Sequence, residues 1–187
     1  TPIDYQSLGQ IGSMMGSGGM IVMSDTDCMV NIARFYVEFI VDESCGRCVP
    51  CRVGTKRMLE ILTDITKGKG TLEMLDELQS LAETIKDTAL CGLGQTAPNP
   101  VLSSLRYFMD EYKAHVVEKR CPAGVCTELL HYEINPEKCI GCTACARACP
   151  VSCISGAPKQ AHVIDQEKCI KCGNCLQKCR FGAVIRK

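Results

Sequence analysis

Two stretches of the sequence carry the same four cysteines. "INPEKCIGCTACARACP" and "IDQEKCIKCGNCLQKCR" match almost position by position at an offset of 30, with Ile134 over Ile164, Glu137 over Glu167 and every cysteine over a cysteine. Cys139, Cys142, Cys145 and Cys149, followed by Pro150, form a C-x-x-C-x-x-C-x-x-x-C-P run. At this spacing a short loop turns three thiolates toward one point, and the fourth cysteine, opening a segment that leads away, ligates the other cluster. One 4Fe–4S cluster is therefore expected on Cys139, Cys142, Cys145 and Cys179, and another on Cys169, Cys172, Cys175 and Cys149. Zinc favours paired C-x-x-C arms over two four-cysteine runs. Arg180 stands where the second motif would carry proline. Proline shapes the chain there without ligating, and the nearby positive charge is expected to raise the cluster's potential.

"CGRCVPC" supplies three more evenly spaced cysteines, Cys45, Cys48 and Cys51, and the next in sequence is Cys91. An antiparallel helix pair between them would return Cys91 to the level of Cys51, giving a third 4Fe–4S cluster. A C-x-x-C pair alone would instead read as a redox dithiol. Twelve of the 16 cysteines are then assigned, leaving Cys28, Cys121, Cys126 and Cys153. Cys28, alone in the first turn of a helix, reads as a packing residue. "RCPAGVCTELLH" holds Cys121, Cys126 and His131 at a spacing that suits no cubane. Two thiolates and an imidazole suit tetrahedral zinc, with Cys153 as the expected fourth ligand and His162 in reserve. The alternative is that these are buried, unligated cysteines.

The elements that must hold these sulfurs follow from hydrophobic period. Met29, Ile32, Ala33, Tyr36 and Ile40 repeat at helical spacing over 27–41, with Asp25, Thr26 or Asp27 as cap. Further helices are expected over 53–66 (Met58, Ile61, Leu62 and Ile65 inward), over 72–88 (Leu72, Leu75, Leu78, Leu81, Ala82 and Ile85) and over 100–117, opened by Asn99 and Pro100. Together they make a small four-helix bundle. Residues 11–23, "IGSMMGSGGMIVM", read as a glycine-rich turn entering an edge strand, since the spacing matches neither phosphate-binding glycine motif.

Composition narrows the function. The chain has 187 residues with 21 basic and 21 acidic side chains, so no bulk charge attracts nucleic acid. Aromatics are 5% and tryptophan is absent, which argues against base stacking. No uncharged apolar run reaches membrane-spanning length, because Arg34 and Glu38 break "VNIARFYVEFIV". Cysteines in C-x-x-C runs without a leader segment point to metal sites in the cytoplasm rather than to disulfides. A start without methionine suggests a piece of a longer polypeptide. A zinc-stabilised interaction module and an iron–sulfur sensor are the competing classes.

"GSGGMIVMSDTDCMVNIARFYVEFIVDESCGRCVPCRVGT", with "CGLGQTAPNPVLSSLRYF", resembles the end of the flavoprotein, NADH-oxidising subunit of respiratory complex I and its soluble relatives. The appended "KRCPAGVC" and the ferredoxin-type repeat are similar to the longer NADH-binding beta subunits of electron-bifurcating FeFe-hydrogenases. The resemblance implies an α+β chain. Residues 1–24 would be the tail of a ubiquitin-like β-grasp domain, 25–118 a helical-bundle 4Fe–4S domain, 119–132 a linker with the zinc candidate, and 133–187 a bacterial two-cluster ferredoxin-like domain. FMN and NAD would bind upstream of this segment, which then holds no catalytic site of its own but is part of an NAD-dependent oxidoreductase. The implied partners are iron–sulfur subunits of a multisubunit complex, namely a hydrogenase catalytic subunit and a small 2Fe–2S subunit, together with free ferredoxin.

Overall fold

The computed structural model describes residues 1–16 and 18–186; Ser17, inside the glycine-rich stretch, and Lys187 lie outside them. Helix α1 (Tyr5–Gln10) starts at Asp4, whose carboxylate accepts the Ser7 N–H at 2.7 Å. No periodicity announces this helix, and its one signal in the sequence is that cap. The strand expected after the glycines does not form: Met20, Ile21 and Val22 are exposed, and no strand of the described residues pairs with them. Without a neighbour to take its N–H and C=O groups, an apolar run stays unpaired backbone.

Helix α2 (Met29–Glu43) has Cys28 at its N-cap, not Asp25, Thr26 or Asp27. Asp27 turns back to accept the Ser24 N–H at 2.8 Å. The first helical N–H, of Met29, donates instead to Glu111 Oε2 of a distant helix at 3.0 Å, so the cap is tertiary. A π-type turn (Pro50–Gly54) leads into α3 (Thr55–Thr66), and α4 (Leu72–Thr88) follows, with Thr71 as its side-chain cap. Val30, Ala33 and Val37 of α2 meet Met58, Ile61, Leu62 and Ile65 of α3 and Leu75, Leu78, Ala82 and Ile85 of α4 in one core. In α3 and α4 these residues are the apolar stripe read from the sequence, whereas in α2 Val30, Ala33 and Val37 are buried and Met29, Ile32, Tyr36 and Ile40, expected with Ala33, are half-buried. Leu72, expected inward, is 55% exposed, because it opens α4 ahead of the buried stripe.

The helix expected over 100–117 is broken. After the short α5 (Gly92–Thr96), α6 (Asn99–Tyr107) stops at Phe108, which leaves the helical region (φ −130°, ψ 32°), and α7 (Met109–Val116) restarts. Tyr112 and His115 of α7 are fully buried. The Ser104 hydroxyl donates to the Val101 carbonyl at 2.9 Å and accepts the Tyr112 hydroxyl at 2.7 Å, which ties the two halves across the break.

Beyond a 3₁₀ turn (Thr127–Leu129) come β1 (Tyr132–Ile134), α8 (Ala144–Ala148), β2 (Ile154–Ser155), β3 (Val163–Ile164), α9 (Asn174–Lys178) and β4 (Val184–Arg186). The two repeats exchange strands. β1 of the first lies antiparallel to β4 of the second, with Glu133 opposite Ile185, and β2 lies antiparallel to β3, with Ile154 opposite Ile164. Neither repeat completes a sheet alone. Tyr132, Ile154, Ile164 and Val184 form a second, smaller core with Cys145, Cys153 and Cys175. No helix of the described residues is long and apolar enough to cross a membrane.

Leu62 is fully buried at the centre of the helical core. Leu62→Ala should cost about 2–5 kcal/mol through lost transfer energy and an uncollapsed cavity. Anaerobic denaturant unfolding followed by circular dichroism measures it, and an unchanged midpoint would contradict the packing described.

Candidate metal centres

Four donors converge where α2, α7 and the following loop meet. Cys28, His115, Cys121 and Cys126 each offer one ligand atom, all of these atoms lie within 4.8 Å of one another, and all four residues are buried. His115 Nε2 is 3.3 Å from Cys28 Sγ and 3.4 Å from Cys126 Sγ, and the two sulfurs are 3.7 Å apart. His115 Nδ1–H donates to the Glu111 carbonyl at 2.8 Å, which fixes the ring and leaves Nε2 facing the sulfurs. Glu111 thus orients the imidazole through its carbonyl and caps Cys28's helix through its carboxylate. Cys121 and Cys126 are bent inward by a turn through Gly124 (φ +66°), whose N–H donates to the Cys121 carbonyl at 2.9 Å.

Electrostatics within this set favour the thiolate at Cys121. Burial opposes charge on His115, but hydrogen bonds with Cys121 and Cys28 outweigh it and push its pKa up to about 10. Hydrogen bonds from Cys126 and Cys28 hold the Cys121 thiol far below its usual range, while hydrogen bonds with Cys121 and Cys28 drive Cys126 upward. A buried cluster that shares protons in this way is one a divalent ion can fill by displacing them. Three sulfurs and one imidazole match the closed donor set of a structural zinc site.

This set of donors differs from the one expected from sequence. His131 is exposed, and Cys153 Sγ lies 3.4 Å from Cys149 Sγ in the other core; neither is brought to Cys121 and Cys126. Cys28, read as packing, and His115, read as one position of a helix, take their places. Cys28 lies 98 residues from Cys126, beyond the reach of any spacing rule. The run His115-x5-Cys121-x4-Cys126 was the available signal.

The strand exchange builds two small sulfur-lined cavities. The first is lined by Cys149, Cys169, Cys172 and Cys175, the second by Cys139, Cys142, Cys145 and Cys179. Each therefore takes three cysteines from one repeat and one from the other. Their loops turn through Gly141 (φ +69°) and Thr143 (φ +63°), and through Lys171 (φ +57°) and Gly173 (φ +76°). A Cβ on Gly141 would strike the backbone nitrogen of Gln160, so only glycine fits there. His162 lines the second cavity at 2% exposure; its Nδ1–H donates to the Gln160 carbonyl at 3.1 Å, and its Nε2 has no partner among the described residues. An orphaned buried nitrogen beside four cysteines fits a sulfur-rich anionic group in that space. The Cys153 and Ala183 N–H groups donate to Cys149 Sγ at 3.4 Å and Cys179 Sγ at 3.3 Å, the contacts that stabilise ligating thiolates.

Cys45, Cys48, Cys51 and Cys91 lie around the π-type turn and the start of α5. Backbone hydrogen bonding from Leu90, then from Cys51, lowers the Cys48 thiol, so the residue before Cys91 reaches the "CGRCVPC" loop. Cys51 Sγ contacts the Ser44 hydroxyl at 3.3 Å, and the Thr55 hydroxyl donates to the Cys51 carbonyl at 2.6 Å. A Cβ on Gly94 would lie 2.6 Å from Ala89 Cβ and 3.3 Å from Cys51 Cβ, so glycine lets α5 close onto Cys51. The antiparallel return of α4 thus brings Cys91's loop to Cys51's end of the helices. Cys45 and Cys91 are exposed and Cys51 is buried, which sets the sulfurs at the edge of the helical core.

The iron-sulfur binding region of NADH-ubiquinone oxidoreductase-F matches residues 31–115, and the 4Fe-4S dicluster domain matches residues 131–183. Cys28, Cys121 and Cys126 lie outside both. The NADP-reducing hydrogenase subunit HndC of Solidesulfovibrio fructosivorans is 60% identical over 185 residues, a match covering 99% of this chain and 38% of that one. The F-type subunit of NADH-quinone oxidoreductase in Streptomyces coelicolor is 40% identical over 121 residues, covering 65% of this chain and 27% of that one. A second such F-type subunit, that of Rhizobium meliloti, is 39% identical over 120 residues, covering 64% and 28%. The chain spans well under half the length of each of these relatives. It belongs to the family of NADH-ubiquinone oxidoreductase F-type subunits and corresponds to their C-terminal, iron–sulfur-binding part.

Proposed function

We propose that this chain is an electron conduit of three 4Fe–4S clusters, steadied by one structural zinc, within an NAD(P)-linked hydrogenase or a complex I-like assembly. The observation that carries the reading is the pair of cavities in which each cysteine triplet is completed by a cysteine of the other repeat. The cluster ligands are Cys45, Cys48, Cys51 and Cys91; Cys139, Cys142, Cys145 and Cys179; and Cys169, Cys172, Cys175 and Cys149. A bound 4Fe–4S cluster supplies one-electron redox chemistry; the chain supplies position, burial and hydrogen bonds. Cys145 and Cys175 are buried, while Cys142 and Cys172 are exposed, so each cavity has a dry interior and a surface edge for exchange with a neighbour. Cys45 and Cys91 give the helical unit a similar edge.

Flavin and nicotinamide chemistry belong, on this reading, to the upstream part of such subunits. Electrons pass between that flavin, the three clusters and a partner: free ferredoxin, a small 2Fe–2S subunit or a hydrogenase catalytic subunit. Electron bifurcation by the whole assembly remains part of the proposal. The domain division at about 25, 119 and 133 belongs to it too. The zinc ligands are Cys28, His115, Cys121 and Cys126, so zinc fastens the 119–132 linker to the helical unit and not to the ferredoxin-like unit. The leash that remains is short. Leu129 is buried in the helical core, and the Lys171 ammonium donates to the Glu128 carbonyl at 2.6 Å.

Anaerobically reconstituted protein should contain about twelve irons and twelve sulfides per chain, four of each per cluster. A reproducible value near eight would remove the Cys91 cluster. Cys149→Ser should perturb the spectroscopic signal of the cluster on Cys169, Cys172 and Cys175; disturbance of the Cys139 cluster alone would overturn the crossed ligation. About one zinc per chain is expected, with X-ray absorption giving Zn–S near 2.3 Å and Zn–N near 2.0 Å. Cys28→Ala and His115→Ala should each deplete it, whereas His131→Ala should retain it. Zinc bound at full occupancy in a Cys28→Ala, His115→Ala double variant would refute these ligands.

A further inference from the structure

The internal repeat places two cavities with equivalent cysteines in one small unit, so differences between them can be read position by position. At the offset of 30 the cavity ligands exchange in order, Cys149 with Cys179 among them, and the backbone N–H donors exchange too. Cys153 N–H reaches Cys149 Sγ at 3.4 Å, and Ala183 N–H reaches Cys179 Sγ at 3.3 Å. The donor residues are equally dry, at 4% and 2% exposure. What differs is the side chain. Cys153 Sγ stands 3.4 Å from Cys149 Sγ and lines the cavity of Cys149, Cys169, Cys172 and Cys175; Ala183 offers a methyl group.

A fifth thiol in a four-cysteine cavity has a defined chemistry. Cys153 lines this cavity outside the proposed ligand set, and an unligated cysteine side chain is a thiol with one weak S–H donor. A protonated sulfur at this distance donates to Cys149, which already accepts the Cys153 N–H. Hydrogen bonds to ligating sulfurs stabilise the more negative, reduced state, and so raise the potential.

Resting on the cluster reading above, we propose that Cys153 is a positioning residue that makes the two ferredoxin-type clusters unequal, by donating an S–H hydrogen bond to Cys149 that Ala183 cannot donate to Cys179. The bond biases an electron toward the Cys149, Cys169, Cys172, Cys175 cavity. That cavity is also the one joined to the linker, since Lys171, between two of its cysteines, donates to Glu128. The repeat therefore has a built-in direction, with the electron favoured at the linker side. The cavity linings also differ at Tyr132 and His162, Val151 and Phe181, Ile154 and Val184, Gly173 and Thr143, and Asn174 and Ala144. Because those pairs also contribute to any difference between the native clusters, the test rests on substitutions and not on comparing the two native potentials.

The experiment is an anaerobic redox titration of the full reconstituted chain, read by electron paramagnetic resonance, for the wild type, Cys153→Ala, Cys153→Ser and Ala183→Cys. Cys153→Ala should lower the potential of one ferredoxin-type signal and leave the other in place, shifting the electron distribution between them on the order of tenfold, or 59 mV for a one-electron couple. Cys153→Ser, which keeps a donor, should recover part of that shift. Ala183→Cys should raise the other signal. Unchanged potentials in Cys153→Ala with every cluster retained would overturn the proposal, as would both substitutions moving the same signal. If Cys153→Ala fails to load its cluster, Ala183→Cys decides alone: a rise supports the hydrogen bond and no rise refutes it. Absence of the two signals from the wild type would instead refute the cluster reading, a separate failure.

Discussion

A short loop can bring three sulfurs to one point, but the fourth must come from elsewhere, and each sulfur-rich site of this chain is built around that constraint. In the repeat, the fourth cysteine of each cavity belongs to the other repeat, delivered by strands that pair across. At the π-type turn, Cys91 is returned by the length of two antiparallel helices. In the Cys28, His115, Cys121 and Cys126 set, the loop provides two sulfurs and two helix ends provide the rest. The fold is the device that supplies the missing ligand, so the packing of elements with little chemistry of their own decides whether a metal is held.

The helical core performs this for two sites at once. Met58, Ile61, Leu62 and Ile65 on one side and Leu78, Ala82 and Ile85 on the other fix the level at which α4 turns back toward Cys51. At the opposite junction, the break at Phe108 redirects α7, and Tyr112 and His115 enter the core together. The Tyr112–Ser104 hydrogen bond holds that break, and Glu111 binds the start of α2 while orienting His115. A single turn of α7 therefore couples helix capping, core packing and ligand orientation. Hydrogen bonding among the donors adds to this: the imidazole is stabilised as a cation by Cys121, whose thiolate form it favours in turn. An ion entering there would replace protons without rearranging the backbone.

In the ferredoxin-like unit, duplication supplies symmetry and single substitutions remove it. The positive-φ turns, the strand exchange and the N–H contacts to sulfur recur in both halves, as they must if both cavities are to close around the same kind of group. Cys153 against Ala183 and Tyr132 against His162 differ without touching that frame. Electron transfer gains direction from such differences, since identical clusters give an electron no preference.

The sequence by itself determined what depends on near neighbours. The cysteine runs named the ligand types, the offset of 30 disclosed the duplication, and the apolar stripes of Met58 to Ile65 and Leu75 to Ile85 located the two central helices. Spacing carries that information because loop closure and helical period act over a few residues. Tertiary structure alone decided the rest. The strand after the glycines had no partner to pair with, Phe108 divided one expected helix into two, and Glu111 replaced the expected acidic caps of α2. Above all, Cys121 and Cys126 found Cys28 and His115 where His131 and Cys153 were expected. Residues 98 positions apart become neighbours only when α2 and α7 pack side by side, and no local period records which helix ends will meet.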